Sequence, residues 1–213
     1  MENMERFDKK EELFNSISHG LGVLFAITAL VLISVFAGKT GDAWKIVSGV
    51  IYGVSLVALF TASTLYHAFP KGKVKDVFEI MDHSAIFILI AGTYTPFTLV
   101  SLRGPIGWTI FGIVWGLTLV GIIYKIFFVN KFIIFSTLIY IFMGWLIVFA
   151  MPPLTQSLPP AGLFWLVLGG VLYTAGTPFY IIRKIPFNHG IWHLFVLGGS
   201  ISHFVAVLFY VIL

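Results

Sequence analysis

Cysteine is absent from the 213 residues, which excludes disulfides, thiolate-ligated haem and iron–sulfur clusters. Any bound metal must therefore take its ligands from His, Asp or Glu. Charge is scarce as well: 10% of residues are Asp, Glu, Lys or Arg, against roughly 25% in an ordinary soluble domain. With 59% hydrophobic residues and a mean hydropathy of +1.00, the chain cannot present a polar surface to water on all sides. A soluble enzyme, a disordered chain and a nucleic-acid binder are thereby excluded. An integral membrane protein remains, in the cell membrane and with membrane lipids as its partners. The net charge of +4 and the pI near 9.3 then read as loop charges that orient the chain and meet anionic head groups. Residues 1–15, MENMERFDKKEELFN, are polar and mixed in charge. They are too acidic for a signal-peptide n-region, and the apolar run behind them is too long for a cleaved one. They are expected to form a cytoplasmic tail or short helix ahead of a single domain over 16–213.

A spanning helix needs about 20 apolar residues. Charges and prolines punctuate the chain into seven such runs. The first is Ile17 to Ala37, the second lies between Lys45 and Lys71, the third runs from Glu79 to Ser101 and the fourth from Gly104 to Tyr124. Phe132 to Ile182 is uncharged and too long for one span. Its Pro152-Pro153 and Pro159-Pro160 pairs disfavour a continuous helix and split it into 132–151 and 161–182. The last run is Pro186 to Leu213, with Pro186 suited to a first helical turn. The expectation is an all-α bundle of seven transmembrane helices. With the N-terminus in the cytoplasm, the inner segments carry Arg6, Lys9, Lys10, Lys71, Lys73, Lys75, Lys125, Lys131, Arg183 and Lys184, the outer ones only Lys39, Lys45 and Arg103. That bias places the C-terminus outside. The Gly49/Gly53 and Gly112/Gly116 pairs permit close helix approach, and self-association into a homo-oligomer is left open.

Ionisable groups inside a span are costly, so each is a candidate functional residue. The set is His19, His67, Asp82, His83, His189, His193 and His203. His67, Asp82 and the pair His189/His193 fall on three different spans, roughly 6 to 14 Å inward of the cytoplasmic charges at about 1.5 Å per residue. His189 and His193 are four apart, on one face of their helix, and can share a metal ion. His67 is the best third ligand by depth, and three imidazoles leave a zinc ion open to water. HGIWH lacks the glutamate of a HExxH motif, so the base must come from elsewhere, and Asp82 is the nearest carboxylate. Ser63, one turn from His67, could contact the water or a substrate oxygen. His203 lies about 15 Å from His193 along the helix, too far for the same ion, and is expected to be a buried hydrogen-bonded residue. His83 points about 100° away from Asp82 and is expected to be structural. Asn15 or Ser16 is either a plain N-cap, or Glu12 and Asn15, with His19, close the mouth of the site.

The segments ELFNSISHG at 12–20, STLYH at 63–67, MDHSAI at 81–86 and HGIWH at 189–193 together resemble the hemolysin III family. That family is the bacterial branch of the progestin and adipoQ receptor family, which includes the adiponectin receptors. The resemblance runs from Glu12 to the last helix. It implies seven spans, an inside N-terminus and zinc on His67, His189 and His193, with Asp82 and Ser63 holding or flanking its water. Eukaryotic relatives and the similar alkaline ceramidases are linked to hydrolysis of ceramide-type amides, whereas bacterial members take their name from red-cell lysis and are connected with membrane homeostasis. Three readings follow. One is a zinc-dependent hydrolase of a lipid amide or ester. Another is a pore-forming cytolysin, which this uniformly apolar composition disfavours. The third is a sensor of membrane fluidity with structural zinc, marked by Asp82 as a fourth ligand. A transporter would want broken helices and paired repeats, and neither is evident.

Overall fold

The computed structural model describes residues 2–129, 131–182 and 184–213. Arg183, counted among the loop charges, lies outside the described residues, and so does the side chain of Arg6. The described residues contain helices and no strand. Helix α1 is Glu2–Thr40, α2 Ala43–Ala68 and α3 Lys73–Pro96, the last continued by a π-helical turn over Phe97–Ser101. Helix α4 is Pro105–Phe128. Helix α5, Ile133–Trp145, passes through a 3-10 stretch at Leu146–Ala150 into α6, Met151–Ser157. Helix α7 is Pro160–Ile181, and α8, Asn188–Val207, ends in a π-helical turn at Leu208–Ile212. Seven stretches are long and apolar enough to cross a membrane, as the uncharged runs predict.

Local chemistry sets the boundaries. Between α1 and α2, Gly41 takes φ +67°, a left-handed conformation that only glycine adopts freely, and the Asp42 carboxylate accepts from the Trp44 amide at 2.8 Å to cap α2. Four expectations need correction. Pro152-Pro153 does not end the fifth span: the chain tightens into the 3-10 stretch and restarts as α6, with the prolines in its first turn, where their missing N–H groups have no partner to lose. Pro186 is not in the first turn of the last helix, because Phe187 is left-handed at φ 54° and the helix begins at Asn188. Lys75 and Lys125, read as loop charges, lie within α3 and α4, and Lys125 is fully buried, donating to Ser136 Oγ at 3.0 Å. Asn15 caps nothing, because α1 already began at Glu2.

The outward faces are apolar, with Phe127 and Phe149 among the most exposed side chains, as expected where lipid is the solvent. The interior holds many small and polar residues. The buried Thr93, Thr95, Thr118 and Ser202 return their hydroxyl protons to carbonyls one turn back, so each polar group is satisfied within its own helix. Helices α1 and α2 pack closely through Gly49 and Gly53: a Cβ at Gly53 would stand 2.9 Å from the Leu30 Cα. The other glycine pair differs, since a Cβ at Gly112 or Gly116 meets nothing within 4 Å. A cavity of about 130 Å³ lies between α1, α2, α3, α5, α7 and α8, from His19, Ser63 and His189 toward the π-helical end of α3 at Phe97.

Candidate metal centre

The centre lies where the first turns of α8 meet the last turn of α2. Two turns of α8 place His189 and His193 on one face, and their ring centroids are 4.7 Å apart. His67, on α2, brings its ring to 5.0 Å from each of them. One nitrogen from each of His67, His189 and His193 lies within 4.8 Å of the other two, and the group could hold a metal ion. Asp82 is not a member of that group. It is buried on α3 and lines the cavity with Ser63, His19 and the α8 histidines. Ser63 faces Asp82, one turn from His67 on α2, and its Oγ is buried without a hydrogen bond of ordinary geometry.

Hydrogen bonds assign the imidazole tautomers. The His67 Nδ1–H donates to Glu12 Oε2 at 2.9 Å, and its Nε2 is buried with no partner. The His193 Nδ1–H faces the Asn15 carbonyl at 3.3 Å and Ser18 Oγ at 3.2 Å, leaving Nε2 as the nitrogen for a metal. His19 stacks on His193 with centroids 3.4 Å apart and planes 13° from parallel, and neither of its ring nitrogens has a partner. Asn15 Oδ1 is buried and unpartnered too. A buried polar atom left unsatisfied costs roughly 1–3 kcal/mol. Of the seven such side-chain atoms among the described residues, five belong to Asn15, His19, Ser63 and His67. Their concentration around one point fits a polar occupant, and neutral imidazoles with a free Nε2 are metal donors.

The remaining candidates behave differently. His83 donates from Nδ1 to its own helix at Glu79 O, 2.8 Å away, and its carbonyl accepts from Tyr140 Oη at 3.0 Å. His203 lines the far part of the cavity, where its Nε2–H donates to Leu166 O at 3.0 Å. Sequence reasoning missed that Glu12 reaches His67 and that Lys75 joins it, donating to Glu12 Oε2 at 3.0 Å. The i, i+3, i+4, i+7 spacing of Glu12, Asn15, Ser16 and His19 put them on one face of a helix, but nothing in the chain said which neighbour that face meets.

The family described as Haemolysin-III related matches residues 7–204. The chain is 56% identical over 204 residues to the hemolysin-3 homolog of Bacillus subtilis (strain 168), covering 96% of each chain. It is 53% identical over 203 residues to hemolysin-3 of Bacillus cereus, covering 95% of this chain and 93% of that one. The human monocyte to macrophage differentiation factor is 28% identical over 203 residues, which are 92% of this chain and 83% of the relative. No solved structure gives a significant match.

Proposed function

The chain belongs to the haemolysin-III-related family of multi-pass membrane proteins, and from that premise we propose that it holds zinc on His67, His189 and His193 and hydrolyses an amide or ester of a membrane lipid, in the service of membrane lipid homeostasis. The observation that carries the reading is the arrangement of three imidazoles in ligand range of one another, with a buried carboxylate close by on the cavity wall but outside their group. His67, His189 and His193 would hold the ion, which when bound would supply polarisation of a carbonyl and a more acidic water.

The chain's own residues do the rest. Asp82 orients the attacking water, takes its proton and returns it to the leaving amine or alcohol as the scissile bond breaks. Ser63, facing Asp82 without a hydrogen bond of ordinary geometry, offers its hydroxyl to the substrate oxygen. His19, with two unpartnered nitrogens on the same wall, binds the polar head at the scissile linkage. The mostly apolar lining beyond them, including Leu59, Ile86, Ile90 and Val196, takes the acyl chain and excludes water. An apolar cavity of about 150 Å³ admits a benzene, so the roughly 130 Å³ here receives only part of a chain. Lys71, Lys73 and Lys131 lie at this end of the bundle, and that bias supports a cytoplasmic orientation for it.

Metal analysis of purified wild type and His193→Ala, with lipidomic comparison of expressing and deleted cells, tests the reading. One zinc per wild-type chain, lost from the variant together with turnover of a lipid amide or ester, supports it. Zinc-free protein with undiminished turnover overturns it. Retention of zinc without any lipid change in either cell type favours a structural metal in a membrane-fluidity sensor. Zinc-independent dye release from liposomes favours a pore-forming cytolysin.

A further inference from the structure

The polar end of α1 touches two of the three candidate ligands on their outer nitrogens. Glu12 accepts from His67 Nδ1 at 2.9 Å. One turn on, the Asn15 carbonyl and Ser18 Oγ receive His193 Nδ1, and Ser18 in turn donates to the Asn15 carbonyl at 2.9 Å. Glu12 is itself held from the other side. Lys75 donates to the same Oε2 at 3.0 Å and to Tyr66 O at 2.9 Å, with its ammonium 4.6 Å from the Tyr66 ring centre. This ties α1, α2 and α3 together at one carboxylate. The close approach of α1 to α8 depends on Gly190, inside the HGIWH segment. A Cβ there would run into the Phe14 ring and stand 3.0 Å from Asn15 Oδ1.

The geometry points to α1 as the element that prepares the metal centre: Glu12 is a positioning residue for His67, and docking of the 12–18 segment against α2 and α8 strengthens metal binding and is strengthened by it. A carboxylate on Nδ1–H fixes the tautomer, aims Nε2 inward and makes it a better donor. The Asn15 carbonyl does the same for His193. If docked α1 favours the metal, thermodynamic linkage requires that the metal favour docked α1 by the same factor. The inference rests on the proposed metal reading and goes past it, since Glu12 and Gly190 are not ligands.

The test uses the purified full chain in lipid nanodiscs, titrated with zinc against a chromophoric chelator and, separately, with cobalt for its ligand-field spectrum. Glu12→Gln keeps the side-chain shape and removes the charge. Zinc affinity is expected to fall about 10- to 100-fold, with the cobalt bands shifted. Glu12→Asp is expected to recover part of the loss. Gly190→Ala, which removes no polar group and displaces α1, is expected to weaken zinc in the same way. Zinc is expected to slow amide exchange over residues 12–18 of the wild type and much less in Glu12→Gln. Unchanged zinc affinity in Glu12→Gln, or exchange over 12–18 indifferent to zinc, overturns the inference and leaves the metal reading standing. If the wild type binds no zinc while His67→Ala behaves identically, both fall.

Discussion

Replacing Asp82 by asparagine separates a ligand from a base. The change preserves side-chain size on a buried position of α3 and removes the charge. Because His67, His189 and His193 form a group in ligand range without Asp82, Asp82→Asn should still bind one zinc. At free zinc 100 times the dissociation constant, binding to the folded state alone adds about 2.7 kcal/mol of stability. Wild type and Asp82→Asn should both show that increment, within about 0.5 kcal/mol of each other, as near-neutral substitutions do. His67→Ala, which deletes a ligand, should show almost none of it. Lipid turnover should fall by about 10²- to 10⁴-fold in Asp82→Asn, the span typical of a lost general base. Unfolding in nanodiscs with and without zinc, atomic emission on the same samples and a lipid hydrolysis assay read the three quantities. Loss of zinc from Asp82→Asn would refute the reasoning: Asp82 would then close a four-ligand site, and the catalytic role assigned to it would have no open position to serve.

Three further outcomes are expected. The chain has no cysteine of its own, so single cysteines report topology directly: Lys71→Cys should react with an impermeant maleimide only in inverted vesicles and Gln156→Cys only in intact spheroplasts, and the reverse pattern would invert the proposed orientation. Gly53→Val should destabilise the bundle by about 1–3 kcal/mol, because the added atoms meet the Leu30 Cα, which cannot move aside, as well as its Cδ1, while Gly112→Ala, facing open space, should be tolerated in the same unfolding assay. Ser136→Ala should cost about 1.5–3 kcal/mol by removing a hydrogen bond to the buried Lys125 ammonium, and a loss under 0.5 kcal/mol would mean that another group takes over.

Much of this was legible in the residues alone. Seven spans follow from composition, because lipid leaves no choice but to satisfy backbone groups within helices. Helix ends were less legible. A lysine seven residues before a spanning carboxylate looks like a loop charge, yet Lys75 is helical and bonded to Glu12, since a long aliphatic stem lets an ammonium find a carboxylate and two carbonyls at the membrane boundary. Pro152-Pro153 reads as a break, and only the preceding 3-10 stretch makes it the start of a new helix.

The i, i+4 placement of His189 and His193 was settled by the chain itself, because a helix repeats every 3.6 residues and needs no partner to do so. Depth along each span was settled similarly, by counting residues from the nearest charge. Azimuth was not. Whether His67 faces α8 or lipid, whether Glu12 lies at a mouth or against an imidazole 55 positions away, and whether Gly53 or Gly112 marks a helix contact all depend on how each helix is rotated against its neighbours. That rotation comes from side-chain packing between segments far apart in sequence, and only the folded bundle decides it.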